Sequence, residues 1–299
     1  MAVVPFHVTG PFTTFAYNPP ALSLNTTWTL NSGYEAPVIG YGTYLIPENI
    51  TAQAVGQAIQ YGFRHIDCAT YYGNEAQVAI AMNQSGIPRQ DLFFTSKAPP
   101  PNNYNRTKNA LERTLEVTGL DYLDLYLIHT PDGTREDRLG SWKALAEAVE
   151  QKKVRSIGVS NFELDQLEEL EAWIKETEKK EGKTKAGTLS VIQVEMHPWV
   201  NQTDVVDWSF QRNIQVQGWS PLVRAERFNE TMLQNLAKKH SKSPAQILLR
   251  WSLQKGYTPL PKAVQPRHME ENIDVFNFEL DSMDMAVLFT GVDEPYSGN

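Results

Sequence analysis

Asp67, Lys97 and His129 each close a short β-like run, and polar residues close or occupy others: Ser160-Asn161, Gln193, Trp219-Ser220 and Lys262. The types are informative. A carboxylate beside a lysine holds the ammonium in place, and an ammonium lowers the pKa of an acidic hydroxyl near it. An imidazole hydrogen-bonds or exchanges a proton near neutral pH. Taken singly, Asp67 and Lys97 read as a salt bridge under a loop, and His129 as a hydrogen-bonded core histidine. Taken as a ring of strand ends they do not, because a packing core has no reason to gather these groups there.

The elements that must position them alternate along the chain. Eight β-like runs cover 39–44, 63–67, 92–97, 122–129, 154–160, 191–196, 214–220 and 257–262. Helical periodicity separates them at 51–61, 75–84, 105–118, 139–151, 164–180, 204–211 and 244–254, with a last stretch at 266–275. Glycine marks several changeovers, at Gly62, Gly119 and Gly256. This alternation predicts an α/β chain folded as one (β/α)8 barrel, whose chemistry sits on the loops after the strands. A doubly wound open sheet would carry a Gly-x-Gly-x-x-Gly loop early, and Gly40-Tyr41-Gly42-Thr43 does not continue into one. Before the barrel, Trp28-Thr29-Leu30 and Val38-Ile39 flank Asn31-Ser32-Gly33-Tyr34 and predict a β-hairpin. Residues 1–25 show no period and are expected to form an irregular arm before a barrel domain spanning 26–299. The charged run 175–185 is a solvated helix end and loop.

Composition narrows the classes. In 299 residues the net charge is −8, which disfavours a nucleic-acid surface. The single cysteine, Cys68, excludes an internal disulfide framework. No apolar run reaches membrane-span length, and the N-terminal stretch lacks the basic region of a signal peptide. The expectation is therefore a cytoplasmic protein without a membrane or nucleic-acid partner, with Asn-x-Ser/Thr triplets present by chance. No His/Cys/Asp/Glu grouping has metal-ligand spacing, so no metal is predicted. His65 and His197 read as structural, His240 as surface. Oligomeric state is left open.

Several segments resemble one family. GFRHIDCATYYGNE (62–75), TSK (95–97), LDLYLIHTP (123–131), GVSNF (158–162), IQVEMHP (192–198), GWSPL (218–222) and LPKAV (260–264) with EEN (270–272) are similar, in order, to the aldo/keto reductase motifs. The resemblance runs from about Trp28 to Phe289, and its closest character is that of short-loop microbial and fungal members. It implies reduction of an aldehyde or ketone to an alcohol, with hydride from NADPH and a proton from Tyr72. It also implies a catalytic set of Asp67, Tyr72, Lys97 and His129. In that set Lys97 lowers the pKa of the Tyr72 phenol, Asp67 holds Lys97, and His129 orients the substrate oxygen.

The same resemblance assigns Thr43 and Asp67 to the cofactor site, and Ser160, Asn161 and Gln193 to the nicotinamide carboxamide. Trp219 stands where an aromatic ring stacks on the nicotinamide. Ser220 and Leu222, with Arg224 just beyond, match the pyrophosphate segment, and Glu271 and Asn272 match the adenine contacts. At the 2′-phosphate pocket Lys262 is present. Ala263 replaces the usual serine, and His268 the usual arginine, with Arg267 one residue early. These departures leave NADPH expected and NADH as an alternative, since arginine is a permanent bidentate cation and histidine is mostly neutral. Ile192 replaces a common asparagine near the site. Thr130 replaces a bulky tryptophan after His129, and Tyr44 takes another aromatic position. With a stiff, proline-rich loop after Lys97 and little chain beyond the last helix, the expected substrate pocket is open, lined by Tyr44, Tyr72, His129 and Thr130, and suited to aldehydes or activated ketones. A non-catalytic NADP(H)-binding barrel is the competing reading, against which the complete catalytic set argues. A phosphate-dependent isomerase or a hydrolase would need a glycine-rich phosphate loop, paired carboxylates or metal ligands.

Overall fold

The computed structural model describes residues 22–200 and 202–295. The expected arm over 1–25 therefore falls largely outside the described residues. Its last part enters the structure as a turn, with Thr26 N–H donating to Ser23 O and Leu22 buried.

A hairpin is present, its second strand at Glu35–Pro37 rather than at the expected Val38-Ile39. β1 (Thr27–Thr29) pairs antiparallel with β2 (Glu35–Pro37), Trp28 opposite Ala36. It plugs the end of the barrel remote from the strand C-termini. Leu30 and Ala36 pack with Phe93, Leu125, Leu127 and Val191 in one apolar cluster, and Asn31 Nδ2 donates to Leu189 O at 2.8 Å.

Eight parallel strands follow, each paired with the next: β3 (Tyr41–Gly42), β4 (His65–Asp67), β5 (Phe93–Ala98), β6 (Leu123–Ile128), β7 (Val154–Ser160), β8 (Leu189–Glu195), β9 (Gln215–Trp219) and β10 (Thr258–Pro259). The first and last strands meet, for Gly40 N–H donates to Pro259 O at 3.0 Å and Gly42 N–H to Pro261 O at 2.9 Å. Glycine is required at this seam. A Cβ on Gly40 would lie 2.6 Å from Leu260 Cδ2 and 2.8 Å from His65 Nδ1. The (β/α)8 barrel expected from the alternation is the architecture observed.

Between the strands lie α1 (Glu48–Tyr61), α2 (Glu75–Gln84), α3 (Tyr104–Thr118), α4 (Arg135–Glu150), α5 (Leu164–Glu181), α6 (Lys183–Ala186), α7 (Thr203–Phe210), α8 (Thr231–His240) and α9 (Pro244–Gln254), with α10 (Pro266–Ile273) and α11 (Ser282–Val287) after β10. α4 begins four residues before its apolar period because Thr134 and Asp137 form a reciprocal capping box. Three helices lie outside the periodic stretches of the sequence: α6 inside the charged run, α8 and α11. Among the described residues no helix is long and apolar enough to cross a membrane.

Strand phase decides which side chains reach the site. Side chains alternate across a strand. Leu125 and Leu127 belong to the interior cluster, whereas Tyr126 and Ile128 pack in the larger core shared with the helices. The same phase sends Asp67, Lys97, His129, Ser160, Gln193 and Trp219 inward. It sends Ile192 outward into the core, fully buried. The expectation that Ile192 removes a polar group from the site is thus corrected: that side chain faces the helices.

Candidate active site

Lys97 is fully buried at the C-terminal end of β5, and its ammonium has three protons to place. They go to Asp67 Oδ1 at 2.7 Å, the Cys68 carbonyl at 2.8 Å and the Tyr72 hydroxyl at 3.4 Å. Burial acts against the charge, but Asp67 and Tyr72 outweigh it and hold the ammonium above its ordinary pKa. Asp67 is likewise saturated, accepting from Lys97 on one oxygen and from Gln193 Nε2 on the other at 2.8 Å. Thr43 donates its N–H and its hydroxyl to the Asp67 carbonyl, which ties β3 to β4 just below the site.

Tyr72 sits on a single 3₁₀ turn, Thr70–Tyr72, that caps β4 and ends at the left-handed Gly73. Its ring lies 5.7 Å from the His129 ring, edge to face, and 5.0 Å from that of Tyr44, which stands half-exposed at the mouth. The expectation that Lys97 lowers the Tyr72 pKa holds for that one interaction and fails for the sum. Burial is the larger effect, and the phenol is pushed up to about 12. His129 is pulled down to about 3 by burial, then by Lys97, so its imidazole is neutral at physiological pH. Its Nδ1 is buried without a partner, so no hydrogen bond pins the proton there. The phenol, ammonium, carboxylate and imidazole converge as the sequence predicted.

Residues 27–289 match the model of the aldo/keto reductase family. The chain belongs to the aldo/keto reductases. It is 40% identical over 265 residues to a glyoxal reductase of Bacillus subtilis, covering 88% of this chain and 91% of the relative. It is 38% identical over 262 residues to a 9,11-endoperoxide prostaglandin H2 reductase of Trypanosoma cruzi, with 86% and 88% covered. In three dimensions it resembles the crystal structure of an aldo/keto reductase from Brucella melitensis, with a TM-score of 0.80, 36% identity, and 88% of this chain and 98% of that one covered.

In this aldo/keto reductase the remaining sequence-predicted residues lie at or just after the C-terminal ends of β7 to β10 and on α10. At the inner end, Ser160 and Gln193 are register neighbours on β7 and β8. Ser160 Oγ is buried and has no partner, whereas the two Gln193 amide protons are committed to Asp67 and to Gln217 Oε1 at 3.1 Å. Asn161 is engaged as well: Nδ2 donates to His129 O, and Oδ1 accepts from the Trp219 indole at 2.8 Å. That bond ties the Trp219 ring to the loop after β7. The loop after β9 carries Ser220 and Leu222, then Val223, Arg224 and Ala225, all three with φ between 46° and 66°. Such left-handed conformations cost about 1 kcal/mol or more each and recur at functional loops.

At the outer end Lys262 is exposed beside β10, and Ala263 is buried, its carbonyl accepting from the Tyr41 hydroxyl. Arg267 and His268 are exposed on the first turn of α10, with Arg267 Nε 3.1 Å from Glu271 Oε1. Asn272 is buried on the same helix. Just after His129, the Thr130 hydroxyl donates to Asp132 Oδ2.

Some contributors were missed from sequence. Asn74, buried, donates through Nδ2 to the carbonyls of Thr43 and Ile46, locking the first loop against the Tyr72 turn. Asn102 donates to the carbonyls of Thr130 and Asp132, fixing the chain just after His129. Arg227 joins the β9 loop to Glu230 and Glu294, while Thr290 bonds to Pro198 O and Glu294 N–H to Trp199 O. The segment after α11 therefore does reach the β8 and β9 loops, which corrects the expectation of too little chain there. His240 is half-buried against Asp284 rather than free on the surface. A run of conformationally ordinary polar residues gives no signal of such pairing.

Proposed function

We propose that this aldo/keto reductase reduces aldehydes or activated ketones to alcohols with NADPH, and that Tyr72 is the proton donor. The carrying observation is the fully bonded Lys97 ammonium between Asp67 and the Tyr72 hydroxyl. A phenol held near pKa 12 is protonated at neutral pH and has a proton to give. When it gives that proton to a carbonyl oxygen, the phenolate left behind is stabilised by Lys97, whose own charge Asp67 balances. Neutral His129, with nothing holding its proton on Nδ1, donates from Nε2 to the same oxygen and orients the carbonyl. Bound NADPH supplies the hydride to the carbonyl carbon, so hydride and proton together convert C=O to CH–OH.

The site residues suit that cofactor. The orphaned, buried Ser160 hydroxyl offers a carboxamide a partner, and Gln193 retains its Oε1 as acceptor. Asn161, Thr43 and Asp67 frame the same end, Trp219 supplies a flat face, and Ser220, Leu222 and Arg224 line the pyrophosphate segment. Lys262 with Arg267 serves the 2′-phosphate in place of the arginine that His268 replaces, and Glu271 and Asn272 the adenine. Tyr44 and Thr130 flank the substrate, one aromatic and one small and polar. The glyoxal reductase relative makes small dicarbonyls a first choice in a substrate panel, and the cytoplasm is the proposed compartment.

The test compares wild type with Tyr72→Phe, following loss of reduced-nicotinamide absorbance with a panel of aldehydes and ketones. The phenylalanine variant is expected to bind NADPH normally and lose at least about 10²-fold in kcat. Unchanged turnover refutes Tyr72 as the donor. Cofactor binding without turnover of any carbonyl by the wild type would favour the binding-module reading instead.

A further inference from the structure

A second buried polar cluster lies on the far side of the wall that carries Lys97 and His129. Glu75, the first residue of α2, is only 5% exposed. Its Oε1 accepts from Ser96 Oγ at 2.5 Å and from Thr114 Oγ1 at 3.0 Å. The Thr114 hydroxyl is 3.2 Å from that of Thr70, and both lie 3.5 Å from the Tyr126 phenol. Thr114 donates to Glu75, so the Thr70 hydroxyl reaches the carboxyl through Thr114. These groups sit between the barrel wall and helices α2 and α3, and Glu75, Ser96, Thr114 and Tyr126 are buried.

Burial pushes the Glu75 carboxyl above the usual carboxylate range, and the hydroxyls of Ser96, Thr114 and Thr70, with Arg113, draw it only part of the way back. A buried acid without a bonded cation is expensive, so its partners matter. Two members of the cluster are close sequence neighbours of site groups. Ser96 immediately precedes Lys97 and points out where Lys97 points in. Thr70 begins the three-residue turn that ends in Tyr72, and Tyr126 lies three residues before His129 on the outer face of β6. That turn has few bonds of its own, Tyr72 N–H to Ala69 O and Gly73 N–H to Thr70 O. Tyr71 beside it is 72% exposed. The Lys97–Tyr72 contact, at 3.4 Å, is at the long end for a hydrogen bond and sensitive to a small shift.

We propose that Glu75 is a positioning residue for the proton-transfer centre: by bonding Ser96 of β5 and Thr114 of α3 at once, and through Thr114 the Thr70 hydroxyl, it sets where the Tyr72 hydroxyl stands relative to Lys97 and His129. The inference rests on the reading of Tyr72 as proton donor.

The experiment measures kcat, KM, NADPH affinity by tryptophan fluorescence, and thermal midpoint for Glu75→Ala, Glu75→Gln, Ser96→Ala and Thr70→Val, beside Tyr72→Phe. Glu75→Ala is expected to lose about tenfold or more in kcat with KM and NADPH affinity unchanged, since small misplacements act on the reacting step. Glu75→Gln keeps an acceptor for Ser96 and Thr114 and is expected to recover most of that loss. Wild-type kcat per folded molecule in Glu75→Ala, whatever its midpoint, overturns the proposal, as does a glutamine variant no better than alanine. If Glu75→Ala does not fold, Ser96→Ala and Thr70→Val decide: a severalfold loss of kcat in either supports the proposal, and wild-type kcat in both overturns it. Should Tyr72→Phe keep full turnover, the functional reading falls and this inference with it. An inactive Tyr72→Phe beside a fully active Glu75→Ala removes the positioning role alone.

Discussion

The Lys97–Asp67 pair allows a quantitative test that needs no substrate. Both side chains are almost wholly buried, at 1% and 6% exposure, and 2.7 Å apart. Lys97→Met removes three hydrogen bonds and leaves the Asp67 carboxylate with one remaining partner, the Gln193 amide. Removing one member of a buried pair costs about 3–5 kcal/mol, because the survivor is charged, dry and unpaired. Asp67→Asn strands the ammonium and should cost a similar amount. In the double variant no charge is left, so the cost should fall short of the sum of the singles by about 2 kcal/mol or more. Against a total stability of about 5–15 kcal/mol these are large effects. Urea unfolding of the four cofactor-free proteins, followed by tryptophan fluorescence and far-UV circular dichroism, completes the cycle. Additive single costs, or a Lys97→Met midpoint equal to wild type, would refute the view that the ammonium is held against burial by its carboxylate.

Three further outcomes follow from the same geometry. Burial, and then Lys97, pull both His65 and His129 down to about 3; below about pH 6.5 the unfolded chain binds protons the fold refuses. Stability should therefore fall as pH drops from about 6.5 toward 3, by up to about 1.4 kcal/mol per pH unit for each histidine. His65→Gln should flatten that slope, and an unchanged slope across this window would contradict the assignment. Gly158 lies at a register shift between β7 and β8, where a Cβ would stand 2.1 Å from the Val191 carbonyl oxygen. Gly158→Ala should cost about 3 kcal/mol or more by denaturation, since backbone must move. Removing Arg267 with alanine should weaken NADPH more than NADH in fluorescence titrations, by about tenfold for one charged phosphate contact; equal effects on both cofactors would show that Lys262 alone reads the 2′-phosphate.

The barrel was legible because parallel strands and their helices write two periods into the chain, and the site because its groups recur at strand ends. Legibility failed where signals compete. α8 begins after a polar loop with no side-chain cap on its first turn, Glu230 bonding to Arg227 and the Trp199 indole instead. α11 is only six residues long, too short for a period, although Asp281 and Asp284 form a capping box that marks it. Motif order pointed to Tyr72 and to the residues proposed for the cofactor but could not weigh burial against charge. The sign of the net Tyr72 shift is a three-dimensional quantity: it depends on how much water the Tyr44 ring, the His129 ring and the 70–72 turn exclude.

That sign has a consequence for what the wall of the barrel is for. A phenol with a lowered pKa would spend part of its time ionised and unable to protonate an oxygen. On the proposed reading of Tyr72 as donor, a phenol held high stays loaded, and the nearby ammonium acts only once the proton has left, when the interaction is strongest. Such an arrangement requires a permanently charged lysine in a dry place. This explains why Lys97 is surrounded by a carboxylate, a carbonyl and a hydroxyl rather than by apolar side chains of equal volume, which would pack at least as stably. Alternation along β5 then puts the cost and its support on opposite faces of one strand. Lys97 is held inside by Asp67, and Ser96 is held outside by Glu75, so the segment bearing the ammonium is gripped from both sides of the wall.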